Sequence, residues 1–180
     1  MTEAFPGVEV REAWTSRIVV FRLKARGIQK QNPEEALAQL KADGYTHILI
    51  QSSNIIEGVE MESLRKDVAA QEKDFKEIRI GTPLLFTPED YEATIAAITP
   101  NGMKDGAVLL VGHGTYTPTT AQYAMMDYML KAKGFNNYVV GTIEGYPSFD
   151  DALAQIKKSG SKKIQLMPFM FVAGEHAKND

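Results

Sequence analysis

Three side chains in this 180-residue sequence have the type and setting to hold a divalent metal: His113, His176 and Glu60. His113 stands between two glycines, Gly112-His113-Gly114, directly after the apolar run Ala107–Val111. His176 and Glu60 each come two residues after a glycine, Gly174 and Gly58, in a loop that follows an apolar stretch. In open parallel sheets ligands bind at the C-terminal ends of the strands, so donors in those loops form one candidate constellation. Two imidazoles and a carboxylate suit Co2+, Fe2+, Ni2+ or Zn2+ with coordination positions left open. No local pattern such as H-E-x-x-H ties the three together, so spacing alone also admits a plainer reading in which Gly-His-Gly is only a turn. The third histidine, His47, enters a predicted strand and is read as structural. With no cysteine, disulfides, Fe–S clusters and thiolate zinc sites are excluded.

The elements that must position these donors alternate in type. Val8–Trp14 reads as a strand. Asn32-Pro33-Glu34-Glu35 supplies an N-cap, a first-turn proline and an acidic N3 residue, and Leu37, Leu40 and a closing Gly44 complete a short helix. His47–Gln51 reads as a buried parallel strand. Met61, Leu64, Val68 and Phe75 fall at helical spacing, Ile78–Phe86 reads as a strand, and Thr87-Pro88-Glu89-Asp90 opens a helix carrying Tyr91, Ile95 and Ile98. Thr99–Gly106 is aperiodic and rich in turn formers, which makes it the expected boundary between an N-terminal half, 1–99, and a C-terminal half, 107–180. Beyond it come a strand at Ala107–Val111, a helix from Thr119 or Thr120 to Gly134, a strand at Tyr138–Thr142, a helix from Ser148 to Lys158 and a strand at Ile164–Met167. The alternation predicts an α/β fold of two similar halves, each a parallel sheet flanked by helices.

An internal repeat supports that division. A shift of 116 positions aligns 32–60 with 148–176 without a gap, and eight of the 29 positions are identical, including Gly44/Gly160 and Gly58/Gly174; background usage would give about two. The repeat makes Glu60 and His176 equivalent positions. It also predicts what each half lacks. The counterpart of 107–134 would precede Met1, and the counterpart of the helix and strand after Glu60 would follow Asp180. The expectation is a piece of a longer protein, short of a first strand unit and a C-terminal unit. Apolar faces left uncovered by those units would favour association of copies, a homo-oligomer.

Composition narrows the class. Hydrophobic residues make up 44% and charged residues 24%, as in ordinary globular domains. Twenty basic residues against 23 acidic ones give a net charge of −3 with no basic stripe, which argues against nucleic acid as partner. No apolar run is long enough for a membrane span, and no leader is visible, so the expected location is the cytoplasm unless an export signal belongs to a longer parent. There is no G-x-S-x-G elbow, no phosphate-binding glycine motif, and Gly112 stands where a histidine phosphatase needs Arg.

Leu110-Val-Gly-His-Gly-Thr115 and Leu166-Met-Pro-Phe-Met-Phe-Val-Ala-Gly-Glu-His-Ala-Lys-Asn-Asp180 resemble the two histidine motifs of the anaerobic sirohydrochlorin cobaltochelatases, class II chelatases of the ferrochelatase-like superfamily. Ala13–Ser16, Ile50–Gly58 and Glu144-Gly-Tyr-Pro147 are similar to the same family, so the resemblance spans the chain. It implies two similar α/β domains around a tetrapyrrole cleft, with the metal held by His113, His176 and Glu60. Two departures stand out. A front strand and its loop, and a helix, strand and helix at the back, are absent, and Asn54 occupies a position where some members carry another histidine.

The activity so implied is insertion of Co2+ into sirohydrochlorin, in anaerobic cobalamin biosynthesis, by a metal chelatase (a lyase). The alternatives are a ferrochelatase acting on sirohydrochlorin or a related porphyrin, and a non-catalytic metal- or tetrapyrrole-binding fragment. Insertion removes two pyrrole N–H protons, and neutral imidazole can take a proton or bind a metal. His113 is therefore expected as base and ligand, with His176 and Glu60 as ligands. No cofactor is expected beyond the substrate metal, and the partners are a sirohydrochlorin-type tetrapyrrole and a divalent cation.

Overall fold

Capped helices and short parallel strands alternate along the chain in the computed structural model, which describes residues 5–171. The elements are α1 (Arg17–Ala25), α2 (Pro33–Ala42), β1 (His47–Ile50), α3 (Val59–Gln71), β2 (Glu77–Ile80), α4 (Pro88–Ile98), β3 (Ala107–Gly114), α5 (Ala121–Ala132), β4 (Tyr138–Glu144), α6 (Phe149–Ser159) and β5 (Ile164–Pro168). Single 3-10 turns lie at Glu72–Asp74, Thr99–Asn101 and Pro118–Thr120. The α/β class with parallel sheets flanked by helices is as the sequence predicts. Contacts group the described residues into two units. One holds residues up to Gln51 together with Glu60–Gly81, and the other holds Ser52–Val59 together with the residues from Thr82 on. These are contact units, whereas 1–99 and 107–180 are the halves expected from the sequence repeat.

In the first unit β1 and β2 pair in parallel, with Ile48 opposite Ile78 and Ile50 opposite Ile80. Those isoleucines share a core with Leu37 of α2, Met61, Leu64 and Val68 of α3, and Phe75. Alternation sends His47 and Leu49 to the opposite face, where Leu49 is 75% exposed. β1 is thus parallel as expected but not buried, since each of its residues is exposed or half-buried, and two further expectations need correction. Val8–Trp14 is not a strand, because no neighbouring strand offers it a ladder, and Val8 is 59% exposed. The segment is held instead by Trp14 N–H donating to Gln31 O at 2.9 Å, by Lys30 over the Trp14 ring and by Arg11 over the Tyr45 ring. The helix that follows, α1, is capped by Ser16 and has no fully buried residue, and its apolar Ile18 and Phe21 are 66% and 73% exposed.

The strand expected at Ile78–Phe86 ends at Ile80. Gly81 N–H makes the last rung to Ile50 O at 2.8 Å, and Pro83 has no N–H to extend the ladder. Leu84 and Leu85 belong to the second unit, where their N–H groups donate to Asn54 O and Ile55 O.

The second unit is built on β3, the central strand of the order β4-β3-β5, all parallel. Its first six residues, Ala107 to Gly112, are buried because helices cover both faces. On one face Val108 and Leu110 meet Tyr91 and Ile95 of α4 and Tyr123, Met126 and Leu130 of α5. On the other, Ala107, Leu109 and Val111 meet Ala152 and Ile156 of α6. Met126, Met129, Met167 and Met170 all pack in or against these cores, as filler.

The two edges of this sheet differ. Along β4, Tyr138 N–H donates to Phe135 O, Val140 N–H to Asp127 Oδ1 at 2.9 Å, and Thr142 N–H to Pro147 O at 2.8 Å. Lys131, one turn on in α5, is paired with the other carboxylate oxygen of Asp127. Along β5 the inward groups engage β3, through Ala107 N–H to Lys163 O and Phe169 N–H to Val111 O. Ile164 and Leu166 are 47% and 57% exposed.

Within the described residues the repeated segments share their caps, their closing glycines and their strand. Asn32 and Ser148 each cap their helix in a full capping box, with Glu35 and Asp151 at N3. Gly44 and Gly160 end those helices at φ +87° and +76°. Ala36 and Ala152 are both buried, and a strand follows in each case.

Two predictions concern this framework. Leu109→Ala, which empties the most enclosed layer of β3, should lower unfolding free energy by about 2–5 kcal/mol in a urea titration. At the start of α4, hydrogen bonds from the Thr87 backbone and hydroxyl hold the Asp90 carboxyl below the ordinary aspartate value. A depressed folded-state pKa means that this contribution is present above the unfolded-state value and lost as pH falls through the folded-state one. The urea midpoint should therefore drop on acidification, and Asp90→Asn should remove part of that drop.

Candidate metal centre

β3 and β4 end side by side. Their register places Gly112 opposite Thr142 and Gly114 opposite Glu144, so His113 and Glu144 emerge on neighbouring strands at the C-terminal edge of the second sheet. Both residues are exposed. His113 Nδ1 lies 3.3 Å from Gly114 O. In the tautomer with the proton on Nδ1, that contact orients the ring and Nε2 is the nitrogen with the lone pair a metal needs.

Glycine is what lets these ends approach. Gly114 has φ +81°, and a Cβ there would overlap the carbonyl oxygen of Glu144. Gly145 has φ +87°, and a Cβ there would overlap Thr115 O. The two loops interlock, each placing backbone against the other's glycine. Gly112 has a different reason: the Tyr123 ring occupies the space its Cβ would need. Tyr123 in turn meets Phe169 edge-on at 6.3 Å, and Phe169 N–H donates to Val111 O at 2.7 Å. This contact brings the opening of the second histidine motif, Leu166–Phe171, to the end of β3.

The expected site residues are distributed as follows. His113 lies in the second unit, at the strand end the sequence predicts. Glu60 is the second residue of α3, exposed, in the first unit. His176 lies outside the described residues. Among the described residues no group of three or more metal-type side chains comes together. His47 opens β1, exposed, with Nδ1 2.9 Å from Thr46 Oγ1, consistent with its structural reading.

Two carboxylates that the sequence reading gave no role share a unit with His113. Glu144 is the one just described. Glu57 lies in the 52–59 loop, where its N–H donates to Gln122 Oε1 at 3.0 Å while Gln122 Nε2 reaches Leu85 O. Gln122 is in the first turn of α5, the helix that follows the His113 loop. A sequence signal for both was present: His113-Gly114, Glu144-Gly145 and Glu57-Gly58 each place a metal-type side chain before a glycine near the end of an apolar stretch.

Comparison with known proteins shows the family of the chain. The family model for cobalt chelatase (CbiK) matches residues 1–180. This chain is a member of that family. A sirohydrochlorin cobaltochelatase of Salmonella typhimurium is 35% identical over 179 residues, which cover 97% of this chain and 67% of the relative. Sirohydrochlorin cobaltochelatase CbiKC of Nitratidesulfovibrio vulgaris is 36% identical over 184 residues, covering 99% of this chain and 65% of the relative. The chain thus spans about two thirds of the length of these curated relatives. The resemblance read from the two histidine motifs is borne out, and the cobalt chelatase family is one of metal-chelating enzymes.

The interlocked glycines give a graded prediction. Gly160→Ala meets only the cost of a left-handed backbone, since nothing lies within 4 Å of its Cβ position, and should cost about 1 kcal/mol. Gly114→Ala adds overlap with a neighbouring backbone and should cost at least about 2 kcal/mol. Paired thermal denaturation of the two variants checks the order.

Proposed function

We propose that the protein to which this chain belongs inserts Co2+ into sirohydrochlorin, in the cytoplasm, in anaerobic cobalamin biosynthesis. The observation that carries the reading is the exposed His113 at the C-terminal end of the central strand β3, in a chain whose relatives bear the name of that activity. Metal and tetrapyrrole are both substrates here, and no further cofactor is needed. Residues 1–99 and 107–180 are proposed as its two α/β domains, related by duplication.

His113 serves as ligand and base. Metallation needs two pyrrole N–H protons removed while the cation exchanges its water and protein ligands for four pyrrole nitrogens. A neutral imidazole can do either task near neutrality, where Lys and Arg hold their protons. The ligand set proposed is His113 with His176 and Glu60. Glu144 is added as the carboxylate whose strand end is fixed beside His113. Carboxylates offset the charge of the cation and release it more readily than thiolates would.

The test is chelation followed by the visible absorbance of sirohydrochlorin as Co2+ concentration is raised, in this chain and in a form extended to the length of the relatives. His113→Ala should abolish insertion at every Co2+ concentration, because base and ligand are lost together. His176→Ala, Glu60→Ala and Glu144→Ala should act on metal affinity, so that part of the rate returns at high Co2+. Full restoration of His113→Ala by excess Co2+ would reduce His113 to a ligand. A carboxylate variant with unchanged Co2+ dependence removes that residue from the set.

A further inference from the structure

Thr120 is the N-cap residue of α5, yet its side chain makes no capping hydrogen bond. Ser16, Asn32, Thr87 and Ser148 all accept from the backbone of the helix they begin. The Thr120 hydroxyl is engaged across the sheet edge instead. It donates to Tyr146 O at 2.7 Å and accepts from Tyr146 N–H at 3.1 Å, so one side chain satisfies both backbone groups of a residue in the loop after β4. The preceding 3-10 turn, Pro118–Thr120, leaves α5 able to start without that cap.

The loop held in this way is Glu144-Gly145-Tyr146-Pro147. Its far end is anchored to its own strand, by Thr142 Oγ1 and N–H both donating to Pro147 O at 2.8 Å. Its near end passes under the His113 loop, where a Cβ on Gly145 would overlap Thr115 O and lie 2.8 Å from Thr120 Oγ1. Thr120 is thus the side chain that fastens the loop carrying Glu144 to the β3–α5 connection carrying His113. A metal pair drawn from two loops binds well only when the separation of those loops is fixed, to within about 0.5 Å.

We propose that Thr120 is a positioning residue for the metal: its hydroxyl clamps the Glu144 loop against the His113 loop and so sets the geometry in which the two side chains bind one cation. The inference rests on the reading of His113 and Glu144 as ligands. A residue of this kind touches neither metal nor macrocycle, and its loss is felt as affinity, typically about 10- to 100-fold.

The experiment measures Co2+ affinity of the full chain, using Co2+ alone as probe, for Thr120→Val, Thr120→Ala and Thr120→Ser, with amide hydrogen exchange at Tyr146 as a direct report on the clamp. Thr120→Val keeps the shape and removes the hydroxyl. It should speed Tyr146 exchange and weaken Co2+ binding by about tenfold or more, and Thr120→Ala should do the same. Thr120→Ser should restore both. Thr87→Ala, which removes the cap of α4, serves as a control: it should lower stability and leave Co2+ affinity unchanged. Faster Tyr146 exchange with unchanged Co2+ affinity in both Thr120→Val and Thr120→Ala would overturn the proposal, provided Glu144→Ala does weaken binding. If Glu144→Ala binds Co2+ as the parent does, the ligand reading of Glu144 fails and the metal role of the clamp fails with it.

Discussion

The close contact of two backbones at the end of the second sheet governs most of what the molecule can do. Where β3 and β4 finish, the Glu144 carbonyl rests on Gly114 and the Thr115 carbonyl rests on Gly145, distances that any side chain at either glycine would forbid. Everything upstream serves that meeting. The buried run Ala107–Gly112 aims β3 at it, the Tyr123 ring fills the space beside Gly112, and α4, α5 and α6 press on the two faces of the sheet so that the strand ends cannot splay. Left-handed glycines cost conformational entropy on folding. Here they let the connection that carries His113 and the loop that carries Glu144 meet backbone to backbone.

Polar groups then fix the geometry that packing alone would leave loose. Each connection around the site is tied by a side chain to a backbone it does not belong to: Gln122 to Glu57 and Leu85, Thr120 to Tyr146, Asp127 to Val140. All three ties come from α5 or its N-cap. This helix buries Tyr123, Met126 and Leu130 inward and spends its remaining polar positions on neighbouring loops. One helix thereby couples the core of the unit to the arrangement of its functional edge.

Much of this was legible in the sequence, for identifiable reasons. Capping boxes at Asn32, Thr87 and Ser148 are local chemistry, and local chemistry survives the absence of tertiary information. The continuous apolar run before Gly112 marked a strand buried on both faces, and the gapless repeat carried its helix caps and glycine C-caps into the structure intact. Val8–Trp14 misled because alternation describes the faces of a strand without supplying a neighbour to pair with. Helix α1 went unread because its apolar residues run together, Ile18-Val19-Val20-Phe21, which marks no single helix face. Glu144 and Glu57 went unassigned because their claim rests on being in the same unit as His113, through register and through Gln122, and the glycine that follows each of them marks a loop without telling which loops lie together.

The opposite edges of the second sheet have a further consequence. On the β4 side the three outward amides of Tyr138, Val140 and Thr142 are each taken by a group of the same unit, one of them by a carboxylate that is itself ion-paired to Lys131. On the β5 side Ile164 and Leu166 present apolar surface beside the last strand. Among the described residues the sheet is therefore directional in the way a crystal face can be: amides along one boundary are already engaged, and the other boundary strand carries exposed apolar side chains. An added strand, whether from natural elaboration of the fold or from a designed fusion, would meet fewer competing bonds along β5 than along β4. A graft on the β4 side would have to break bonds that also brace the loop beyond Thr142.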